Sequence, residues 1–448
     1  MSDDSIAMLR VIYPVRRALR SDFVRHSALV FGATMLANTL NYAFNFALSR
    51  RLGVEGFATL SSLVSAIMIL SIPASILCLI VVKYAATFHA AADGARVRRL
   101  SQLLLNWTGV CALAIFAGGM LFRGDIASFL RIGNDESIPL TLAVIALTFV
   151  TPSVRGILQG EQDFQRFSVS VILEALLKVG LGVGYVYAHF GVAGAMMGWL
   201  IGASIALAYT VWAVLRKHGT AADAKVRLGL DLRRLTQTTF GIGVATGLLT
   251  CISFMDVLLV KHYFDARQAG LYAAVNLTGK IVLFLVGFVP AIVLPKAVAK
   301  VAKRESPVLL LLQAAAVTFL LSGATLIAFG LMPGEVMRVI AGRAFVAAAP
   351  YVFQYDVAMG MLAVITLVVS YKIGIHRFDF LYALGGALIL EVAGIALFHR
   401  SLWDIIHVLL AGNALAIIGC SYRITSHENA AKATAIDIFN QQEGLRSA

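Results

Sequence analysis

The sequence predicts an all-α membrane protein of about 12 transmembrane helices, arranged as two six-helix lobes related by a pseudo-two-fold axis along the membrane normal. Three observations lead there. The chain of 448 residues is 59% hydrophobic and only 14% charged. Charge nearly vanishes from a dozen separate stretches, each able to cross a hydrocarbon core of about 30 Å, which needs roughly 20 helical residues. The connectors between those stretches are short and basic. In lipid every backbone group must pair internally, and runs this continuous lack the alternation of a β-barrel, so helices remain.

In order, the expected spans are 28–48, 57–82, 103–122, 138–158, 167–187 and 192–215, then 240–260, 271–295, 308–329, 350–371, 378–398 and 402–422. Around them the chain divides into a basic arm (1–27), an N-lobe (28–215), a linker (216–237), a C-lobe (238–422) and a tail (423–448). Of the 37 Lys and Arg, 26 fall on one side and nine on the other, with Lys178 and Lys280 inside spans. The positive-inside bias puts both termini in the cytoplasm and makes the net charge of +13 a topology signal that also attracts anionic lipids. It calls for no nucleic acid.

The N-terminus does not resemble a cleaved signal, because a charged arm precedes a span too long for one. Within it, Ile6 to Leu19 fits either an amphipathic surface helix or a frayed basic tail. Cys78, Cys111, Cys251 and Cys420 all fall in spans without metal-ligand spacing and imply neither disulfides nor metal. The sequons at Asn106 and Asn276 lie in spans and are not read as glycosylation sites.

The two groups of six look like copies. Arg50 and Lys261, Gly56 and Gly270, Lys83 and Lys296, Pro73 and Pro290, and Glu174 and Glu391 are each 211 to 217 residues apart. Units with an even number of spans run the same way through the bilayer, an arrangement found in transporters.

Three segments carry a family likeness: Arg51-Leu52-Gly53-Val54-Glu55-Gly56-Phe57, the run Arg155-Gly156-Ile157-Leu158-Gln159-Gly160-Glu161-Gln162-Asp163-Phe164, and Gly270-Leu271-Tyr272-Ala273-Ala274. In these segments and their order the chain resembles the polysaccharide-transporter branch of the multidrug, oligosaccharidyl-lipid and polysaccharide exporter superfamily. The resemblance implies two lobes flanking a cavity that opens alternately to either side. It also implies a substrate: a polyprenyl-pyrophosphate-linked oligosaccharide flipped across the bacterial inner membrane, with a polysaccharide polymerase and assembly proteins as partners.

Ionisable residues surviving in spans are Glu174, Lys178, Asp256, Lys280, Asp356 and Glu391, with His407. A charge at a helix centre costs about 2.5 to 3.5 kcal/mol on insertion, so such residues should face protein or water. Lys178 and Lys280 each lie about 15 Å from a span end, near the midplane. Either they face a cavity and hold a pyrophosphate, or Glu174 neutralises Lys178 in i,i+4 order and Asp256 pairs with Lys280. Asn38, Asn41 and Asn45 line one face of the first helix, as sugar-binding groups or as interhelical glue. Gly191, Gly194, Gly198 and Gly202 form a stripe for close helix packing. Gly180-x-Gly182-x-Gly184 lies within a span with no strand before it and is not a nucleotide loop. Pro73, Pro152 and Pro290 each remove a mid-span hydrogen bond and permit bending.

Three functions are compatible in principle with such a layout. For a flippase, energy must come from an ion gradient, since no nucleotide loop is present, and Glu174, Asp256, Asp356 and Glu391 are the ion-coupling candidates. A multidrug exporter of the same superfamily is expected to carry an acid in the first helix, where this chain has asparagines. A membrane-embedded polymerase or ligase needs a sizeable outer loop and a nucleophile or metal constellation, neither of which is seen. The expectation is a transporter without enzymatic activity or cofactor.

Overall fold

The computed structural model describes residues 22–133, 136–219, 226, 228, 232–303 and 305–422. The surface-helix reading of Ile6 to Leu19, most of the linker and the tail lie outside them. Among the described residues the regular secondary structure is all helical, without strands, and twelve stretches are long and apolar enough to cross a bilayer.

The first expected connector is reduced to a kink. α1 (Asp22–Leu70) is two helices that meet at Gly53, whose φ of 70° and ψ of −176° are open to glycine. The second expected span, 57–82, is itself interrupted at Ser71, beyond which α2 (Ile72–Ala90) follows. After it come α3 (Gly94–Leu121), the short α4 (Arg123–Phe129), α5 (Ser137–Gly160), α6 (Phe164–Tyr187) and α7 (Gly191–His218). The second half comprises α8 (Leu232–Tyr263), α9 (Ala266–Val286), α10 (Phe288–Ala302), α11 (Val308–Leu331), α12 (Pro333–Ile340), a 3-10 turn (Arg343–Ala348), α13 (Ala349–Gly374), α14 (Phe380–Leu397) and α15 (Leu402–Ser421).

The prolines act as their chemistry requires. A proline ring meets the carbonyl four residues back and lacks the N–H of the helix ladder. Pro73 follows the break at Ser71, Pro290 follows the break at Gly287, and Pro152 is accommodated inside α5. The first two occupy equivalent places in the two halves of the repeat.

The α2–α3 and α5–α6 turns share one device. Ala92 and Gln162 take positive φ, and the following Asp93 and Asp163 cap α3 and α6 by accepting the backbone N–H of Arg96 at 3.0 Å and Arg166 at 3.2 Å. Each aspartate also pairs with the arginine it caps.

The chain forms two compact units, Met1–Leu48 with Pro73–Gly124 and Asp135–Leu232, and Ser49–Ile72 with Asp125–Asn134 and Arg233–Ala448. The division differs from an N-lobe of 28–215, because two segments of the first half belong to the second unit. Close packing explains the first of these. A Cβ on Gly270 would lie 2.1 Å from the Val54 carbonyl oxygen, and Phe57 packs edge-on to Phe345 at 5.8 Å. For the second, Phe129 stacks on His262 at 4.2 Å, and His262 Nδ1 donates to the Phe129 carbonyl at 2.8 Å.

The glycine stripe packs helix on helix, as its spacing predicts. A Cβ on Gly198 would sit 2.2 Å from the Gly182 nitrogen, and one on Gly202 would sit 2.9 Å from the Lys178 nitrogen, so α6 and α7 touch backbone to backbone.

Candidate functional site

In the first unit, two features lie inside spans: the buried Lys178 ammonium and the Arg155–Glu174 ion pair. Lys178, on α6, is 6% exposed, and its ammonium donates to Asn41 Oδ1 on α1 at 2.9 Å. The same nitrogen stands 3.5 Å from the centroid of the Trp199 ring and 4.9 Å from that of Phe44. Desolvated cation–π contacts of this kind are worth about 2 kcal/mol. Of the asparagine face, Asn41 meets this lysine. Asn45 donates to the Asn41 backbone carbonyl at 2.9 Å, and Asn38 is exposed.

Glu174 does not take the i,i+4 partner. It pairs with Arg155 on α5 at 2.8 Å, and Arg155 is held in place by Ser170, through Oγ at 2.8 Å and the carbonyl at 2.9 Å. Arg155 therefore belongs to the body of α5 rather than to a connector. A guanidinium fork already fixed by two acceptors offers Glu174 a better-organised partner than a flexible lysine one turn away.

The second unit gathers three carboxyls. Asp256 on α8 is buried, and its Oδ2 accepts from the Tyr272 hydroxyl at 2.7 Å and the Tyr355 hydroxyl at 3.1 Å. Asn276 donates to the Tyr355 oxygen at 2.6 Å. Asp356, beside Tyr355 on α13, accepts from Thr278 at 2.8 Å. Glu391, on α14, is 2% exposed and close enough to Asp256 for the two to interact electrostatically. Asp256 Oδ1, Asp356 Oδ2 and Glu391 Oε1 are buried without a hydrogen-bond partner among the described residues. Buried oxygens of this kind call for a proton or a cation.

Lys280, on α9, is half-buried, with its ammonium 4.6 Å from the centroid of Phe254. Asp256 attracts it electrostatically, but among the described residues no carboxylate lies within ion-pair distance. The expected Asp256 to Lys280 pair gives way to the tyrosine hydroxyls. Gly279 makes this arrangement possible, since a Cβ there would meet Met359 at 2.4 Å and the Tyr355 ring at 2.6 Å. His407 is exposed and stacks beside Trp403, whereas Asp256, Asp356 and Glu391 are buried.

Trp199, Phe44, Tyr355 and Thr278 carry no signal in the sequence, while Tyr272 stands out only as part of the Gly270–Ala274 segment and Asn276 only as an amide in an apolar span. A further cluster lies at the C-terminal ends of α5 and α7. The buried Glu161 carboxylate meets His218 Nε2 at 2.7 Å and Lys217 Nζ at 3.2 Å. Burial by itself raises its pKa, but the two partners more than reverse that and hold it below the ordinary 4.5.

No family model and no curated protein matches the chain. Solved structures do. One is the inward-facing conformation of a multidrug resistance MATE family transporter of the MOP superfamily, at TM-score 0.76 and 15% identity, covering 89% of this chain and 96% of that one. The outward-facing conformation of such a transporter matches at TM-score 0.65 and 18% identity, covering 93% and 98%. A MOP superfamily transporter from Pyrococcus furiosus, described as having a binding pocket of reverse polarity that suggests a different function, matches at TM-score 0.60 and 17% identity, covering 92% and 98%. At these identities the likeness is one of fold: the chain has the twelve-helix MATE architecture.

Proposed function

We propose that this protein is an ion-coupled transporter working by alternating access, which moves a polyprenyl-pyrophosphate-linked oligosaccharide across the bacterial inner membrane with both termini in the cytoplasm. The observation that carries the reading is the pair of midspan lysines, one in each unit. Lys280 has no carboxylate within ion-pair distance among the described residues, and Lys178 donates to the Asn41 amide against two aromatic rings. A pyrophosphate is the concentrated anion that such groups suit. Asn38, Asn41 and Asn45 supply amides for sugar hydroxyls.

Coupling falls to Asp256, Asp356 and Glu391, whose unpartnered oxygens fit a proton or small cation. Glu174 has a different role in this reading, as the counter-ion of Arg155. Export of cationic drugs is the alternative that the MATE fold raises, and the absence of an acid on the first expected span speaks against it.

Lys178→Ala and Lys280→Ala are each expected to abolish polymer at the cell surface at normal membrane abundance. Unchanged polymer in both variants would refute the reading.

A further inference from the structure

A cavity of about 480 Å³ lies inside the second unit, between α8, α9, α10 and α13. The helix break creates it: Gly287 and Pro290, where α9 gives way to α10, are part of its wall. Its volume is within the range of about 300 to 1,000 Å³ typical of small-molecule sites. No ionisable side chain lines it, and its surface is mostly apolar, with Leu249, Leu283, Leu294 and Leu362 contributing.

Four of the five hydroxyls in the wall ask nothing of an occupant. Thr246, Thr250, Ser253 and Thr366 donate to carbonyls of their own helices at 2.7 to 2.9 Å. A cavity with this lining favours a neutral, apolar guest.

One end of the cavity differs. Phe254 forms part of the wall, and the Lys280 ammonium stands 4.6 Å from its ring centroid. Lys280, Leu283, Gly287 and Pro290 follow one another at three- and four-residue steps, so the ammonium continues the cavity-lining face one turn further on. The nearest carboxyl, Asp256, has one oxygen engaged by two tyrosines. An apolar slot that ends at an ammonium matches an amphiphile with an anionic head.

We propose that this cavity receives the isoprene units next to the phosphate of a lipid-linked substrate, with the phosphate on Lys280. The inference rests on the lipid-linked reading above and adds to it a protein site for the chain itself, which otherwise stays in the bilayer.

The test uses the full chain purified in detergent and three probes: farnesyl pyrophosphate, farnesol and inorganic pyrophosphate. Farnesyl pyrophosphate is expected to bind about tenfold or more tightly than farnesol, the scale of one charge-assisted contact. Inorganic pyrophosphate is expected not to compete. Lys280→Ala should bring farnesyl pyrophosphate down to the farnesol level. Thr366→Trp, which fills the cavity, should weaken both isoprenoids together, and Ala363→Phe serves where that variant fails to fold. The proposal is overturned if inorganic pyrophosphate or phosphatidylglycerol competes as well as farnesyl pyrophosphate, or if the filled variants bind it unchanged. Export that needs Lys280 without isoprenoid binding would remove the site and leave the transport reading. Binding as expected, with export untouched in both lysine variants, would do the reverse.

Discussion

Gly198→Ala links the packing of the first unit to its buried lysine. The added Cβ would stand 2.2 Å from the Gly182 nitrogen, 2.3 Å from its Cα and 2.7 Å from the Leu181 carbonyl carbon, where ordinary contact begins at 3.4 Å. All three atoms are backbone, so no side chain can swing away. Helices α6 and α7 must separate locally by about 1.2 Å, the shortfall against 3.4 Å. Overpacking of this kind costs about 1 to 3 kcal/mol. In a domain of this size that corresponds to a fall in melting temperature of roughly 2 to 12 °C. The same separation would take the Lys178 ammonium from 3.5 Å to nearly 5 Å from the Trp199 centroid, weakening the cation–π contact. The assay is thermal unfolding in detergent, followed by size-exclusion chromatography and tryptophan emission. Gly180→Ala on the same helix is the control, because a Cβ there meets nothing within 4 Å. It should be neutral or gain about 0.5 to 1 kcal/mol from better helix propensity. A Gly198→Ala melt within about 1 °C of the parent protein would refute the reasoning.

Tyr355→Phe removes a donor to Asp256 and strands the Asn276 amide, so a loss of about 1 to 3 kcal/mol is expected in thermal melts. Tyr272→Phe, which leaves Asn276 bonded to Tyr355, should cost less. Glu161, held below 4.5 in the folded chain, contributes stability that is full above that value and is lost as pH falls through its lowered pKa. Melts of the parent should therefore drop more steeply below pH 4.5 than those of Glu161→Gln, and parallel curves would refute the assignment. Gly270→Ala drives a Cβ to 2.1 Å from the Val54 carbonyl and should lower membrane abundance sharply, measured by immunoblot. Arg155→Ala leaves Glu174 without its partner and is expected to cost about 3 kcal/mol, while Lys178→Ala should leave Glu174 undisturbed.

The twelve spans, the helix breaks near Pro73 and Pro290 and the glycine stripe were all legible in the sequence, because a bilayer makes local composition decisive. A span must be apolar along its whole length, a proline disrupts its own helix, and glycines at helical spacing mark one face. Rarity flagged the carboxyls Asp256, Asp356 and Glu391 in the same way, since an acid in oil is costly wherever the helix goes. Their partners were not legible, because a tyrosine in an apolar span is unremarkable until another helix brings a carboxylate to it. Glu174 shows the limit most plainly. Spacing along α6 offered Lys178 one turn away, but packing delivered Arg155 from α5, already fixed by Ser170. The sequence by itself determined how often the chain crosses oil and which residues are out of place there. Which helices meet, and therefore that Lys178 turns to Trp199 while Asp256 turns to two tyrosines, was decided by tertiary packing, because pairing between distant segments depends on backbone approach at positions such as Gly198 and Gly279.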